Sequence, residues 1–174
     1  MFPNIAFDEC ADRSGIWRSL FEDGLRLADE PPLWGAIAGE RYRFQTTTGA
    51  PGVLLRVEAD AGEVVAKRFE ADMSETGTSG WVVREFRRLL TTRELGRLRG
   101  LVERAGFWAL PSAKPKNNSG LDGAQFLFEG CRGGRYHLVH RWCPDRDGFA
   151  RLCRHCEALY HSTVAPCRSW WRLW

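Results

Sequence analysis

Lysine is almost missing from this chain: only Lys67, Lys114 and Lys116 stand among the 25 basic residues of its 174. Its basic character therefore rests on Arg, whose planar guanidinium forks onto carboxylates and phosphates, although an Arg-favouring genome gives the same bias without any ligand. Twenty-two acids oppose those bases and leave a formal charge of +3, too small to require a polyanionic partner. No stretch approaches the roughly 18 consecutive apolar residues of a membrane helix. The opening Met-Phe-Pro-Asn-Ile-Ala-Phe-Asp-Glu-Cys has neither the basic nor the apolar region of a cleaved secretion signal. Six cysteines are too sparse for a disulfide scaffold. These absences together predict reduced thiols, a cytoplasmic setting and no membrane partner. Also missing are the Gly-x-Ser-x-Gly elbow, the His-Glu-x-x-His helix, the P-loop and the Gly-x-Gly-x-x-Gly turn. No cofactor is therefore implied, and no reaction is named by motif.

What is present is globular: 44% hydrophobic and 27% charged residues suffice for one buried core. Residues 1–39 read as an acidic arm with a short helix, in which Ile16, Trp17, Leu20 and Phe21 recur at helical spacing until Gly24 and Pro31-Pro32 intervene. Residues 40–162 read as a single domain. Its strand signals begin at Arg41 with Tyr42 and Phe44, and continue through a hairpin over 52–70 turned by Ala59-Asp60-Ala61-Gly62. A polar loop over 71–80 leads to a strand from Trp81 to Leu89. Thr91-Thr92-Arg93-Glu94 is a capping box, and Leu95, Leu98, Leu101, Val102 and Ala105 then mark a helix ending at Gly106. Residues 112–120 form a Lys/Asn/Ser/Gly loop.

A second hairpin follows. With Phe128 opposite Tyr136 across a Gly130–Gly134 loop, Ala124, Phe126, Phe128, Tyr136, Leu138, His140 and Trp142 would share a core face. Gln125, Leu127, Glu129, Arg135, His137, Val139 and Arg141 would share a wet one. Asp147-Gly148 opens a last helix whose Phe149, Leu152, Cys153, Cys156, Leu159 and Tyr160 form an apolar stripe. Strands, helix, strands, helix, with hairpins in place of crossovers, predict an α+β fold: an antiparallel sheet of about five to six strands with two main helices on one face. The tail, 163–174, carries Trp170, Trp171 and Trp174, too many rings to leave in water without a reason. Trp81, Trp108 and Trp142 read as core or core edge.

All four His (137, 140, 155 and 161) fall near Cys143, Cys153 and Cys156. Zinc on His140, Cys143, Cys153 and Cys156 is one reading, because the ion takes four N or S ligands. The competing reading packs Cys153 and Cys156 as small hydrophobes and satisfies His140 at the core edge. A nucleophilic Cys143 with His137 or His140 and Asp122 or Asp145 can be drawn, as can an Asp122/Glu129 carboxylate pair. Asp122-Gly123 is equally ordinary turn chemistry and Glu129 an ordinary cross-strand partner. Arg84, Arg87, Arg88, Arg93, Arg97 and Arg104 could grip nucleic acid, but Glu85, Glu94 and Glu103 interleave them.

Phe107-Trp108-Ala109-Leu110-Pro111, Gly120-Leu121-Asp122-Gly123-Ala124, Glu129-Gly130, Gly134-Arg135-Tyr136-His137 and Arg141-Trp142-Cys143-Pro144 resemble the pattern of a group of small, uncharacterised bacterial proteins. That pattern reads Phe-Trp, Leu-Pro, Gly-Leu-Asp-Gly-Ala, Glu-Gly, Gly-x-Tyr-His and Arg-Trp-Ser-Pro; Cys143 stands where it has Ser. The resemblance implies a bacterial α+β domain over about 40–162. Trp, Tyr and Arg dominate protein interfaces. The leading expectation is accordingly a non-catalytic interaction protein, of immunity or regulatory type, that masks another protein. Its candidate contacts are Asp122, Glu129, Arg135, His137, Arg141, Trp142, Trp170, Trp171 and Trp174. A small metal- or Cys/His-dependent hydrolase around 122–156 is the alternative, and nucleic-acid binding through 84–104 the third.

Overall fold

The computed structural model describes residues 2, 14–35, 38–47, 52–72, 80–112, 123–144 and 146–165. The 112–120 loop (beyond Ser112), most of the 71–80 loop, the 166–174 tail, Cys10, Asp122 and Asp145 lie outside them. The architecture is α+β. Strands β1 (Glu40–Thr46), β2 (Leu54–Glu58), β3 (Glu63–Asp72), β4 (Gly80–Leu89), β5 (Gln125–Arg132) and β6 (Arg135–Trp142) form one antiparallel sheet ordered β4-β3-β2-β1-β5-β6. Helices α2 (Thr92–Arg104) and α3 (Gly148–Val164) pack on one face. No helix among the described residues is long and apolar enough to cross a membrane.

That first face carries the larger core. Tyr42, Phe44, Leu55, Val57, Val64, Ala66, Phe128 and Val139 point toward Leu98 and Val102 of α2 and Phe149, Leu152, Cys153, Cys156, Leu159 and Tyr160 of α3. The capping box forms as the sequence predicts: Thr91 Oγ1 accepts from the Glu94 N–H while the Glu94 carboxylate accepts from the Thr91 N–H. Asp147 caps α3 by accepting from the Ala150 N–H at 2.8 Å. Gly148 lets the end of α2 meet the start of α3, since a Cβ there would lie 2.9 Å from Ala105 Cα.

The second face departs from the expectation of a wet surface. Helix α1 (Ser14–Leu27) runs through Gly24 and lays Phe21 and Leu25, together with Phe2, on Leu54, Leu127 and Leu138. The sheet is thus covered on both sides. The β5–β6 register also differs, because Phe128 pairs with Val139 and Cys131 with Tyr136. The cause is the turn: Gly133 and Gly134 both take positive φ, 58° and 75°, and make a two-residue hairpin in place of the five-residue loop. An odd offset moves one strand's side chains to the other face. Tyr136, Leu138 and His140 therefore share the α1 side with Gln125, Leu127 and Glu129, while His137, Val139 and Arg141 join Phe126 and Phe128.

Beneath the chain that leaves α1, the second face buries charge. Arg43 Nε donates to Glu129 Oε2 at 2.6 Å, and its Nη1 donates to Pro31 O at 2.7 Å. Tyr136 donates to the other Glu129 oxygen at 2.7 Å. Glu30 sits above the sheet, taking Arg56 at 2.6 Å and Lys67 at 3.1 Å, with Arg43 at 3.7 Å. The side chains of Arg43, Glu30 and Glu129 are fully buried. Breaking one partner of a buried pair leaves an uncompensated charge, at about 3–5 kcal/mol. Arg43→Met, which leaves Glu129 only the Tyr136 hydroxyl, is expected to destabilise by that amount in urea unfolding. Adding Glu129→Gln should restore part of the loss by removing the stranded charge.

Candidate functional site

The residues singled out in the sequence meet at one edge of the sheet. β6 is a terminal strand, so its outer backbone groups need partners, and the segment after α2 takes one of them, the His140 N–H, together with three β6 side chains. Gly106, in the left-handed region at φ 62°, turns the chain into a single 3-10 turn, Phe107–Ala109. Phe107 is buried against Phe128 and His137, with ring centroids 5.0 Å away in each case. Gly130 makes room for it, because a Cβ there would come within 2.8 Å of Phe107 Cε1. The chain then runs beside β6. Ser112 O accepts from the His140 N–H at 2.7 Å and from Arg141 Nη1 at 3.1 Å, while Pro111 O accepts from Arg141 Nη2 at 2.6 Å. Leu110 O accepts from His137 Nε2 at 2.9 Å, and Trp108 O from the Arg135 guanidinium.

Arg135, His137 and Arg141 are thus ties that close a sheet edge, and the two halves of the Phe-Trp…Leu-Pro and Tyr-His…Arg-Trp pattern bind each other. Trp108 is half-buried, with Arg132 and Arg135 over its ring at 5.1 and 5.3 Å. Trp142, also half-buried, packs on Gly123: a Cβ at that glycine would fall 2.3 Å from Trp142 Nε1 and 2.8 Å from Cys143 Sγ. Glu129 belongs to the buried charge layer, on the other side of the sheet from His137 and Arg141. Asp122, Trp170, Trp171 and Trp174 lie outside the described residues.

The metal and nucleophile alternatives are not assembled among the described residues. His140 is buried on the α1 side, edge-on to Phe21 with centroids 5.7 Å apart, and its Nε2 lies 2.8 Å from Gln125 Oε1. Cys153 and Cys156 sit in the core on the opposite face, so the sheet separates them from His140. Burial pushes both thiols well above their ordinary pKa and so suppresses the thiolate a metal would need. Cys143 is exposed at φ 38°. No group of three or more His, Cys, Asp or Glu poised to hold a metal occurs among the described residues. Cys143, Cys153 and Cys156 are free thiols.

At the other edge β4 has no cover among the described residues, a feature sequence reasoning passed over. None of residues 81–89 is buried, and Trp81, Val82 and Leu89 are 42%, 44% and 74% exposed. Trp81 is therefore a surface side chain and neither core nor core edge. No described segment pairs with the strand's outer backbone. Its position is the physical reason: a strand signal reads the same for an edge as for an interior strand, and only the sheet order separates them.

Three of the arginines weighed for nucleic acid are neutralised on or near β4. Arg84 pairs with Glu70 at 2.7 Å, Arg87 with Glu85 at 2.5 Å and Arg88 with Glu94 at 2.8 Å. No protein-family model matches the chain, and no curated protein matches it.

His140 has a measurable consequence. Burial, then the neighbouring Arg141 charge, lowers its pKa from 6.5 to about 4. Between those values the unfolded chain binds the proton and the folded chain resists it, so the contribution is complete above about pH 6.5 and lost as pH falls toward about 4. Thermal unfolding across that window should show a falling Tm, and His140→Gln should flatten that part of the profile.

Proposed function

We propose that this chain is a non-catalytic protein-binding domain that takes an extended segment of a partner protein onto the open β4 edge, masking that partner in an immunity or regulatory role. The single observation that carries this reading is the asymmetry of the two sheet edges. Residues 108–112 cover β6 through one hydrogen bond from its backbone and four from its side chains, whereas β4 offers ten residues with no described cover. An unpaired strand edge is a template for a further strand: backbone hydrogen bonds supply affinity, and pockets for alternate side chains supply selectivity. Trp81 and Leu89 flank the edge with apolar surface. Between them Arg84, Glu85, Arg87 and Arg88 give it alternating charge, which deters nonspecific sheet stacking and favours a complementary strand. The non-catalytic element is supported by the internal use of His137, His140, Arg141 and Glu129, whose functional atoms all hold other parts of the fold.

The test is photo-crosslinking in the native host from Val82 and, as a control, from Arg132 beside the closed edge. A protein adduct from Val82 alone is expected, with β4 amides exchanging more slowly when the isolated partner is bound. Val82→Asp with Leu89→Asp should weaken that partner at least tenfold while moving Tm by only a few degrees, since exposed sites change stability little. Equal adducts from both positions, or unchanged binding by the double variant, would overturn the proposal.

A further inference from the structure

Arginine on the outer surface of the helical layer is not balanced in the way the rest of the molecule is. Arg84, Arg87, Arg88, Arg99 and Arg132 each face a glutamate. Arg93 and Arg97, one turn apart on α2, and Arg151 and Arg154 of α3 have no carboxylate within ion-pair distance among the described residues. These four line one cavity of about 650 Å³ between the two helices.

One acid also lines it, Glu94, and that carboxylate is already engaged. Arg88 takes both its oxygens, at 2.8 and 3.1 Å, and Thr91 donates to it as well. The Arg88 contact, the largest influence, holds its pKa down at about 2. Ser162 is likewise used, accepting from Arg88 and donating to Leu159 O. His155 completes the wall, and its Nε2 is buried with no hydrogen-bond partner among the described residues. Burial, then the nearby Arg97 charge, lowers its pKa and favours the neutral ring, which can still donate one hydrogen bond. Leu101, Ala158 and Leu159 give the groove an apolar wall.

We infer that the α2–α3 groove is a binding site for a small phosphorylated molecule with an apolar or planar body, its phosphate held between the Arg93/Arg97 and Arg151/Arg154 pairs. Guanidinium forks match phosphate oxygens bidentately. Four like charges facing one hollow repel one another until an anion enters, so the site favours a multiply charged ligand. The volume falls within the roughly 300–1,000 Å³ of small-ligand pockets. An extended nucleic-acid track is disfavoured because the arginines that would prolong it along β4, Arg84, Arg87 and Arg88, are neutralised by glutamates. This inference is independent of the β4 docking reading, which uses a different surface.

The test is calorimetric titration of the full chain with ADP, inorganic pyrophosphate and a 20-nucleotide single-stranded RNA, each at two salt concentrations. Saturable binding of ADP, tighter than pyrophosphate, is expected, with the His155 ring signals shifting in NMR as the site fills. Arg97→Ala and Arg154→Ala should each weaken ADP about tenfold, or about 1.4 kcal/mol. Without ligand, both variants should melt at or slightly above the parent, because like-charge repulsion is relieved. Three outcomes would overturn the inference: no saturable binding of ADP or pyrophosphate, ADP affinity unchanged in both variants, or binding of the RNA alone with a steep salt dependence.

Discussion

Arg43 is the constraint from which much of this molecule follows. It lies on β1, an interior strand of the sheet, and its side chain is entirely buried. A guanidinium cannot shed its charge, so every element around it must answer it. Glu129 does so from the directly opposed position on β5. Pro31 and Glu30 do so from the chain that leaves α1. The net stability of such a pair is small, because desolvation offsets most of the Coulomb attraction. Its effect is on which arrangement is lowest. A slip of one residue between β1 and β5 would put Arg43 opposite Phe128 or Gly130 and drive its charge toward the apolar α2–α3 core. Register and α1 docking are thus set by the same group.

The same layer explains why the sheet is sandwiched. Leu54, Leu127 and Leu138, with Phe69, Val83 and Tyr136 packed beside them, form the apolar part of the second face. Glu30 adds ion pairs by meeting Arg56 and Lys67 from two further strands. Lys67 also donates to Ala28 O, at the end of α1. Charge therefore fastens this side and apolar packing the other.

Local signals were legible in the sequence, and pairings between distant segments were not. The α2 capping box, the β2–β3 hairpin and the α3 stripe each depend on residues within one or two turns of one another, and all three form where the pattern places them. The second face was misread because Arg43, Gln45, Arg56, Lys67 and Glu129 alternate with apolar residues as a solvated face would. Only their mutual neutralisation across four strands and the 28–33 segment makes them internal. The β5–β6 register was missed by three residues because the glycines at 130, 133 and 134 were pooled into one loop. Only the last two turn the chain, and Gly130 is in the strand because Phe107 needs its space. Among the candidate contact residues, Arg135, His137 and Arg141 tie β6 to residues 108–112 in the structure. They and Phe107–Pro111 form one device that seals an edge.

The distribution of arginine then carries a conclusion that neither net charge nor motif reaches. A chain whose arginines merely reflected codon bias would scatter them without regard to acids, and most would sit singly in solvent. Here the guanidiniums sort by place. On the second face they are internal ties, along β4 they are matched to glutamates, and at β6 they seal the edge. Between α2 and α3, four have no carboxylate within ion-pair distance among the described residues, around one hollow beside His155, whose buried ring nitrogen has no described partner. A fold that pairs its positive charge with acids on the second face and along β4, and leaves four guanidiniums unpaired among the described residues around one groove, has the electrostatics of a site that receives an anion.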